Sequence, residues 1–445
     1  MNDTRFGSDR PGPDQTKKEK ADKKAVLAAT VGCMLEWYDF ALYGYFSVLI
    51  SRLFFPAESA YVSLLLTVGT FGVGFAMRPV GAIVLGAIAD QKGRRFALSW
   101  TISTMVIGTF IITFCPTYAS IGIAAPLLIV VARLIQGFSS GGEMGTAVAF
   151  LLEKAPRKHR ILFASFQQLM QVSALLIGSL VGAAINAWMS PETLESWGWR
   201  IPFGIGLLIG PVGWYIRRHT AESEEFEQAL VKRRLEGRHR PTFIRTISEY
   251  PRETISGFCI TVLWTVGTYF FLVYMPTYAM RELHLPASTS LLSNSAALAA
   301  AMICGPLFSA LADKHGPKLL LQLASISLLV SCYPLMLWLT QVPTISTLVI
   351  VQCILSVTLS AFTGPAGGTL ASLFPADVRS TGVSIAYNLA VTLFGGFASL
   401  IATWLINFTG SPLAPVWYVA FAACLAVAGS FMLPALRDKE ISPIN

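Results

Sequence analysis

Apolar runs of roughly 20 residues recur along the whole chain, and that spacing leaves few folds open. A helix of this length crosses the hydrocarbon core of a bilayer. Inside lipid every backbone polar group must be satisfied internally, which only helices and closed barrels achieve. A barrel would alternate in period two over about 10 residues, and these runs do not alternate. The chain has 445 residues, 54% hydrophobic and only 13% charged. A soluble protein carries about a quarter charged residues. The implied fold class is an all-α membrane protein, with the lipid bilayer as its surroundings.

Twelve spans can be drawn, at approximately 25–50, 62–89, 96–115, 122–151, 161–188, 199–217, 254–279, 288–312, 318–339, 344–372, 380–408 and 413–434. An even count places both termini on one side. That side carries 28 of the Lys and Arg residues, against Arg52, Arg200 and Arg281 on the other. A basic excess marks the cytoplasmic face, so both termini are expected inside. The expected division is a tail over 1–24, a six-helix bundle over 25–217, a charged linker over 218–253, a second bundle over 254–434 and a tail over 435–445. The same distribution argues against nucleic acid as a partner, despite the net charge of +8. The seven cysteines are scattered, without Cys-x-x-Cys, and the five histidines fall in loops. No cofactor and no metal is therefore expected.

The halves repeat. Gly86 to Arg95 (GAIADQKGRR) is echoed by Ser309 to Lys318 (SALADKHGPK), which aligns Asp90 with Asp313. A second echo relates Pro156 to Arg160 (PRKHR) with Pro375 to Arg379 (PADVR). Two echoes at nearly one offset indicate duplicated six-helix halves, which can rock about a site near the midplane.

The Gly-x-x-x-Asp-x-x-Gly-Arg-Arg run resembles the loop signature of the major facilitator superfamily. The runs Glu36–Phe40, Met77–Gly81, Ala132–Glu143 and Trp197–Pro202 resemble its metabolite:proton symporters. That family includes bacterial carriers for citrate, 2-oxoglutarate, dicarboxylates, shikimate, and proline or betaine. The resemblance covers all twelve spans. Gln91, where the signature usually has a basic residue, and Pro317-Lys318, in place of paired basic residues, depart from it. It implies two pseudo-symmetric bundles, an inner-membrane location, no enzymatic activity and a monomer that works alone. Phe54–Ser59 and Met77–Gly86 look most like the tricarboxylate and dicarboxylate members.

Glu36, Asp39, Arg78 and Arg133 are charges set deep inside spans. At about 1.5 Å per helical residue, all four fall near mid-membrane, where an ionised group is costly unless paired or facing water. With both acids ionised the set is neutral, and one added proton leaves room for an anion. Asp39 is the expected proton carrier, with Glu36 and Arg133 sharing the coupling. Arg133 and Arg78 suit carboxylates, since guanidinium offers a two-pronged donor. The interiors of spans 7 to 12 carry no charged side chain, so contacts there must be neutral. The expected substrate-binding set is Arg78, Arg133, Gln136, Gln168, Gln171, Tyr269, Tyr274 and Asn388. The expected gating set is Asp90, Arg94, Arg95, Glu143 and Asp313. Asp90 is expected to meet the positive N-terminal end of a neighbouring helix, span 11, and Glu143 to pair with Arg94 or Arg95.

The reading is a proton-coupled symporter of a small organic acid, working by alternating access. A zwitterion such as proline or betaine is the alternative cargo, held by an aromatic cage of Trp37, Tyr38, Trp264, Tyr269 and Tyr274. Shikimate-like or aromatic acids, and efflux by antiport, are further alternatives. A membrane enzyme would need an intramembrane nucleophile with His, and an ATP-driven pump a nucleotide-binding loop. Neither motif is present.

Overall fold

A computed structural model describes residues 34, 36–92, 94–141, 143–218, 242–375 and 378–433. Among them there is no strand, and the helices form twelve long rods. These are α1 (36–54), α2 (60–92), α3 (Arg94–Phe114), α4 (124–154), α5 (Arg160–Trp188), α6 (Arg200–Arg218), α7 (Pro251–Glu282), α8 (Ala287–His315), α9 (Pro317–Gln341), α10 (Ile345–Ser372), α11 (Arg379–Thr409) and α12 (Pro415–Phe431). Seven rods are long and apolar enough to cross a membrane by length and composition, and three shorter stretches, Ser99–Phe114, Ala124–Ser140 and Pro415–Phe431, are apolar too. Ile83, Phe110, Leu127, Ile303 and Val330 point outward, as lipid-facing side chains must.

Local chemistry sets the ends. Pro251, Pro317 and Pro415 open α7, α9 and α12, where a missing N–H costs nothing. Ser59 and Thr344 cap α2 and α10 by accepting from the Val62 and Thr347 amides, each at 3.2 Å. Gly316, at φ +90°, makes the tight link from α8 to α9, a conformation that favours glycine. α1 runs on to Phe54, beyond its expected end. Of the expected linker, 219–241 lie outside the described residues, as do both tails; Thr242–Glu249 is a short helix.

Within the first bundle α3 packs on α4 and α6, and α2 on α4; within the second α9 packs on α10 and α12, and α8 on α10. Between bundles α5 lies against α8 and α10, while α11 lies against α2 and α4. Adding six to each number converts one set of contacts into the other. The duplication in the sequence is thus a duplication of packing.

The α2–α4 contact is backbone on backbone. A Cβ on Gly137 would collide with the Gly74 carbonyl, and one on Gly141 with the Arg78 carbonyl. Small residues permit this close approach. It carries Arg78 and Arg133 into the interior from two adjoining helices.

Candidate functional site

The four intramembrane charges form two ion pairs. Arg78 Nη2 donates to Glu36 Oε1 at 2.9 Å. Arg133 Nη1 stands 3.9 Å from Asp39 Oδ2, an ion pair without a hydrogen bond. All four are buried, Arg133 at 0% and Arg78 and Asp39 at 1% relative exposure. The sequence suggests one polar cavity holding two acids and two bases. The structure sorts them into these two pairs, and both border the Phe40 ring, 5.2 Å from the Arg78 guanidinium and 5.7 Å from that of Arg133. Glu36 and Asp39, three residues apart, share a face of α1, but each answers to a different arginine.

The Arg133 pair belongs to the first bundle. Its guanidinium lies 3.8 Å from the centre of the Tyr43 ring, a cation–π contact. Asp39 Oδ2 accepts from Gln136 Nε2, which also reaches Thr109 at 3.2 Å. Nε, Nη1 and Nη2 of Arg133 and Oδ1 of Asp39 make no hydrogen bond among the described residues. Buried donors and acceptors left so are expensive, so this pair has unspent capacity for a proton or an anion.

The Arg78 pair faces the second bundle. Its guanidinium lies 4.4 Å from the Phe75 ring and 5.7 Å from that of Trp37. Tyr387 of α11 hydrogen-bonds it, and the Tyr269 hydroxyl of α7 lies within electrostatic reach of both Arg78 and Glu36. Tyr269 packs on Trp37 and Phe75 with ring centres at 5.9 and 5.2 Å. Trp264 packs on Tyr387 at 5.4 Å and donates to Gln168 Oε1 at 3.1 Å. Indole N–H is a donor only, so the Gln168 amide turns its own N–H donors the other way, and Nε2 has no hydrogen-bond partner among the described residues. Asn388 donates to the Gly141 carbonyl at 2.9 Å, across the bundles. Gln171 is buried, and its Oε1 has no hydrogen-bond partner among the described residues.

Tyr274 stands apart, its hydroxyl 2.8 Å from that of Thr403 inside the second bundle. The side chains of Asp90, Arg94, Arg95 and Glu143 lie outside those described. Asp313, the second-copy counterpart of Asp90, accepts from the amides of Ile161 and Leu162, each at 2.9 Å. It thereby caps the N-terminus of α5 across the bundles, at the end that bears the basic loops. The opposite end is joined as well. Tyr45 and Asn294 both donate to the Leu272 carbonyl, at 3.0 and 3.1 Å, and the Ser47 and Thr277 hydroxyls meet at 2.9 Å. Between the ends, a gap lined by Gln168, Ser356 and Thr363 is no larger than a water molecule. Among the described residues, then, hydrogen bonds join the bundles at both ends.

Tyr43, Thr109, Tyr45 and Asn294 were not singled out by sequence. Tyr43 had a usable signal, being four residues after Asp39 on α1 and so on the same face. The others had none, since each is one uncharged residue in an apolar run.

A family model of the Major Facilitator Superfamily matches residues 29–386 and, a second time, 257–443. The chain belongs to the major facilitator superfamily. The second match of this superfamily member begins near the head of its second bundle. It is 37% identical over 412 residues to a citrate-proton symporter of Salmonella typhi, covering 92% of this chain and 93% of that one. It is 34% identical over 420 residues to a putative proline/betaine transporter of Staphylococcus aureus, covering 94% and 89%. Its fold is that of a D-xylose-proton symporter, with a TM-score of 0.71 at 18% identity over 92% of this chain and 97% of that one. As a major facilitator protein it falls among transporters, not enzymes.

Proposed function

We propose that this protein is a proton-coupled symporter that takes up a small organic acid, a di- or tricarboxylate, across the bacterial cytoplasmic membrane. In this reading both termini face the cytoplasm, and bundles spanning 25–217 and 254–434 alternate access to a site between them. The observation that carries it is the pair of fully buried arginines, each with its own acid, in a membrane-embedded bundle. The likeness to a citrate-proton symporter over nearly the whole chain supports the cargo. Arg78, lying between Glu36 and two tyrosines of the second bundle, is the carboxylate fork. Tyr269, Tyr387, Gln168 and Asn388 supply neutral contacts, and Gln136 positions Asp39.

Asp39 carries the proton. An anion drawn toward Arg133 competes with Asp39 for it, and a proton on Asp39 ends that competition, so the two cargoes stabilise each other's binding. Uptake then rises as external pH falls. We expect Asp39→Asn to lose uphill accumulation of citrate while keeping exchange of labelled for unlabelled citrate in proteoliposomes. Full pH-driven accumulation by that variant would sink the assignment.

A second reading, a zwitterion such as proline or betaine, is supported by the names of the 34% identical relatives. The geometry favours it less. Tyr38 donates to the Pro202 carbonyl at 3.0 Å, Tyr274 to or from Thr403, and Trp264 to Gln168, so the five aromatic residues do not converge. Of the five, Trp37 and Tyr269 do pack together, but Trp37 already borders the Arg78 cation at 5.7 Å.

A further inference from the structure

We propose that the gap between α5, α8 and α10 recognises a hydroxyl group of the cargo, so that the carrier prefers hydroxylated organic acids to analogues lacking only that group. This rests on the organic-acid reading above and names the subclass of acid. The gap lies where the two bundles meet, with Ser165 and Gln168 on α5, Gly305 on α8, and Ser356, Ser360 and Thr363 on α10. Two of these side chains have polar atoms left over. Gln168 Oε1 accepts from the Trp264 indole at 3.1 Å, while Nε2 has no hydrogen-bond partner among the described residues. The same is true of Ser356 Oγ, in a residue at 1% relative exposure. The serines beside it behave differently. Ser165 and Ser360 donate to carbonyls of their own helices, those of Leu162 and Val357, at 2.7 and 2.8 Å. A buried polar atom without a partner is costly. Ser356 forgoes the local bond that its neighbours make, on the wall of a gap that Gln168 also lines.

The chemistry of the lining selects the group that fits. The gap has room for one water-sized group, and no charged side chain lines it. A carboxylate there would be buried without a cation, at high cost. A hydroxyl is neutral and of the right size, and it both donates and accepts. Its oxygen accepts from Gln168 Nε2, and its proton goes to Ser356 Oγ. Gln168 is also tied to the carboxylate fork. Its partner Trp264 packs on Tyr387 with ring centres at 5.4 Å, and Tyr387 hydrogen-bonds Arg78. A hydroxy acid thus has a charged contact at Arg78 and a neutral one in the gap, between the same two bundles. An analogue without the hydroxyl leaves Gln168 and Ser356 unpaired, which is how a site built around a hydroxyl rejects the molecule that lacks it.

The test is uptake into proteoliposomes of two matched pairs, citrate with tricarballylate and malate with succinate. The members of each pair carry the same carboxylates and differ by one hydroxyl. For each pair that is transported, we expect wild-type kcat/KM to favour the hydroxylated member by at least about fivefold, the worth of one net hydrogen bond. Ser356→Ala should bring that ratio close to one, chiefly by raising KM for the hydroxylated member. A serine that only supports packing, or that holds a resident water, would lower both members in parallel and keep the ratio, and that result overturns the inference. If Ser356→Ala does not reach the membrane, Gln168→Met carries the same expectation, and an unchanged ratio there has the same force. Wild-type protein that moves both members of a pair equally well refutes the hydroxyl site and leaves the organic-acid reading standing. Wild-type protein that moves none of the four acids overturns that reading, and this inference with it.

Discussion

Arg78 sits where the bundles meet, and its geometry asks for a planar fork. One nitrogen holds Glu36, Tyr387 engages the group from α11, and three aromatic rings lie around it. Lysine keeps the charge but loses both the fork and the planar stacking. We expect Arg78→Lys to raise the KM for citrate by roughly tenfold or more, equivalent to about 1.4 kcal/mol, with a smaller change in maximal rate. A KM unchanged within twofold would remove Arg78 from the substrate site. The pairing of charges was legible from their burial alone: four ionised groups at one depth had to find one another. The pairing of Asp39 with Arg133 was legible too, but the partner of Glu36 was not. That depends on the rotation of α1, which turns Glu36 toward α2 and Asp39 toward α4, and on the Phe40 ring that both cations border. Tyr274 illustrates the same limit. It is expected among the neutral contacts, but Thr268 to Tyr274 is a π-turn, and its hydroxyl meets that of Thr403.

At the scale of elements, two devices govern the site. One is the backbone contact of α2 and α4, with Gly137 against Gly74, Gly81 against Phe138 and Gly141 against Arg78. The other is the pair of π-turns, Thr268–Tyr274 in α7 and Val391–Gly395 in α11, both beside the Phe75–Tyr269 contact. A π-turn leaves carbonyls outside the regular ladder and recurs at functional positions; here the Leu272 carbonyl accepts from Tyr45 and Asn294 instead. Neither device shows in the hydropathy pattern, which is blind to one extra residue in a turn and to which glycine faces a neighbour. The glycine contact can be tested on stability. Gly137→Val places a branched side chain against the Gly74 backbone, and overpacking of this kind costs about 1–3 kcal/mol. Gly204→Ala on α6 is the comparison, since a Cβ there meets nothing within 4 Å. We expect a clear fall in melting temperature in detergent for the first and no fall for the second. Equal melting temperatures would mean that α2 and α4 can part without loss.

Across the whole molecule, the twofold relation of the bundles turns a single contact into a statement about conformational balance. Sequence repetition placed Asp90 and Asp313 at equivalent positions and assigned to Asp90 the N-terminus of span 11. The structure describes the equivalent contact in the other copy, with Asp313 at the N-terminus of α5. This is the electrostatic arrangement that the helix dipole rewards, and both carboxylate oxygens are used. Among the described residues this contact ties the bundles at the basic-loop end, while the far end is tied by neutral hydrogen bonds among Tyr45, Leu272, Asn294, Ser47 and Thr277. A charge-assisted cap is worth about twice a neutral hydrogen bond. Its loss should therefore favour opening at the basic end over opening at the other. Asp313→Asn keeps the size but removes the charge and one acceptor, a loss of the order of 1–2 kcal/mol, enough to shift a two-state balance about tenfold. The measurement is spin-label distances between the basic-loop ends of α5 and α8, with a second pair between the far ends of α1 and α7. The expected outcome is a longer α5–α8 distance in the variant with the α1–α7 distance unchanged. Lengthening at both ends would indicate general loosening, and no change at either would show that Asp313 caps α5 without holding the bundles together.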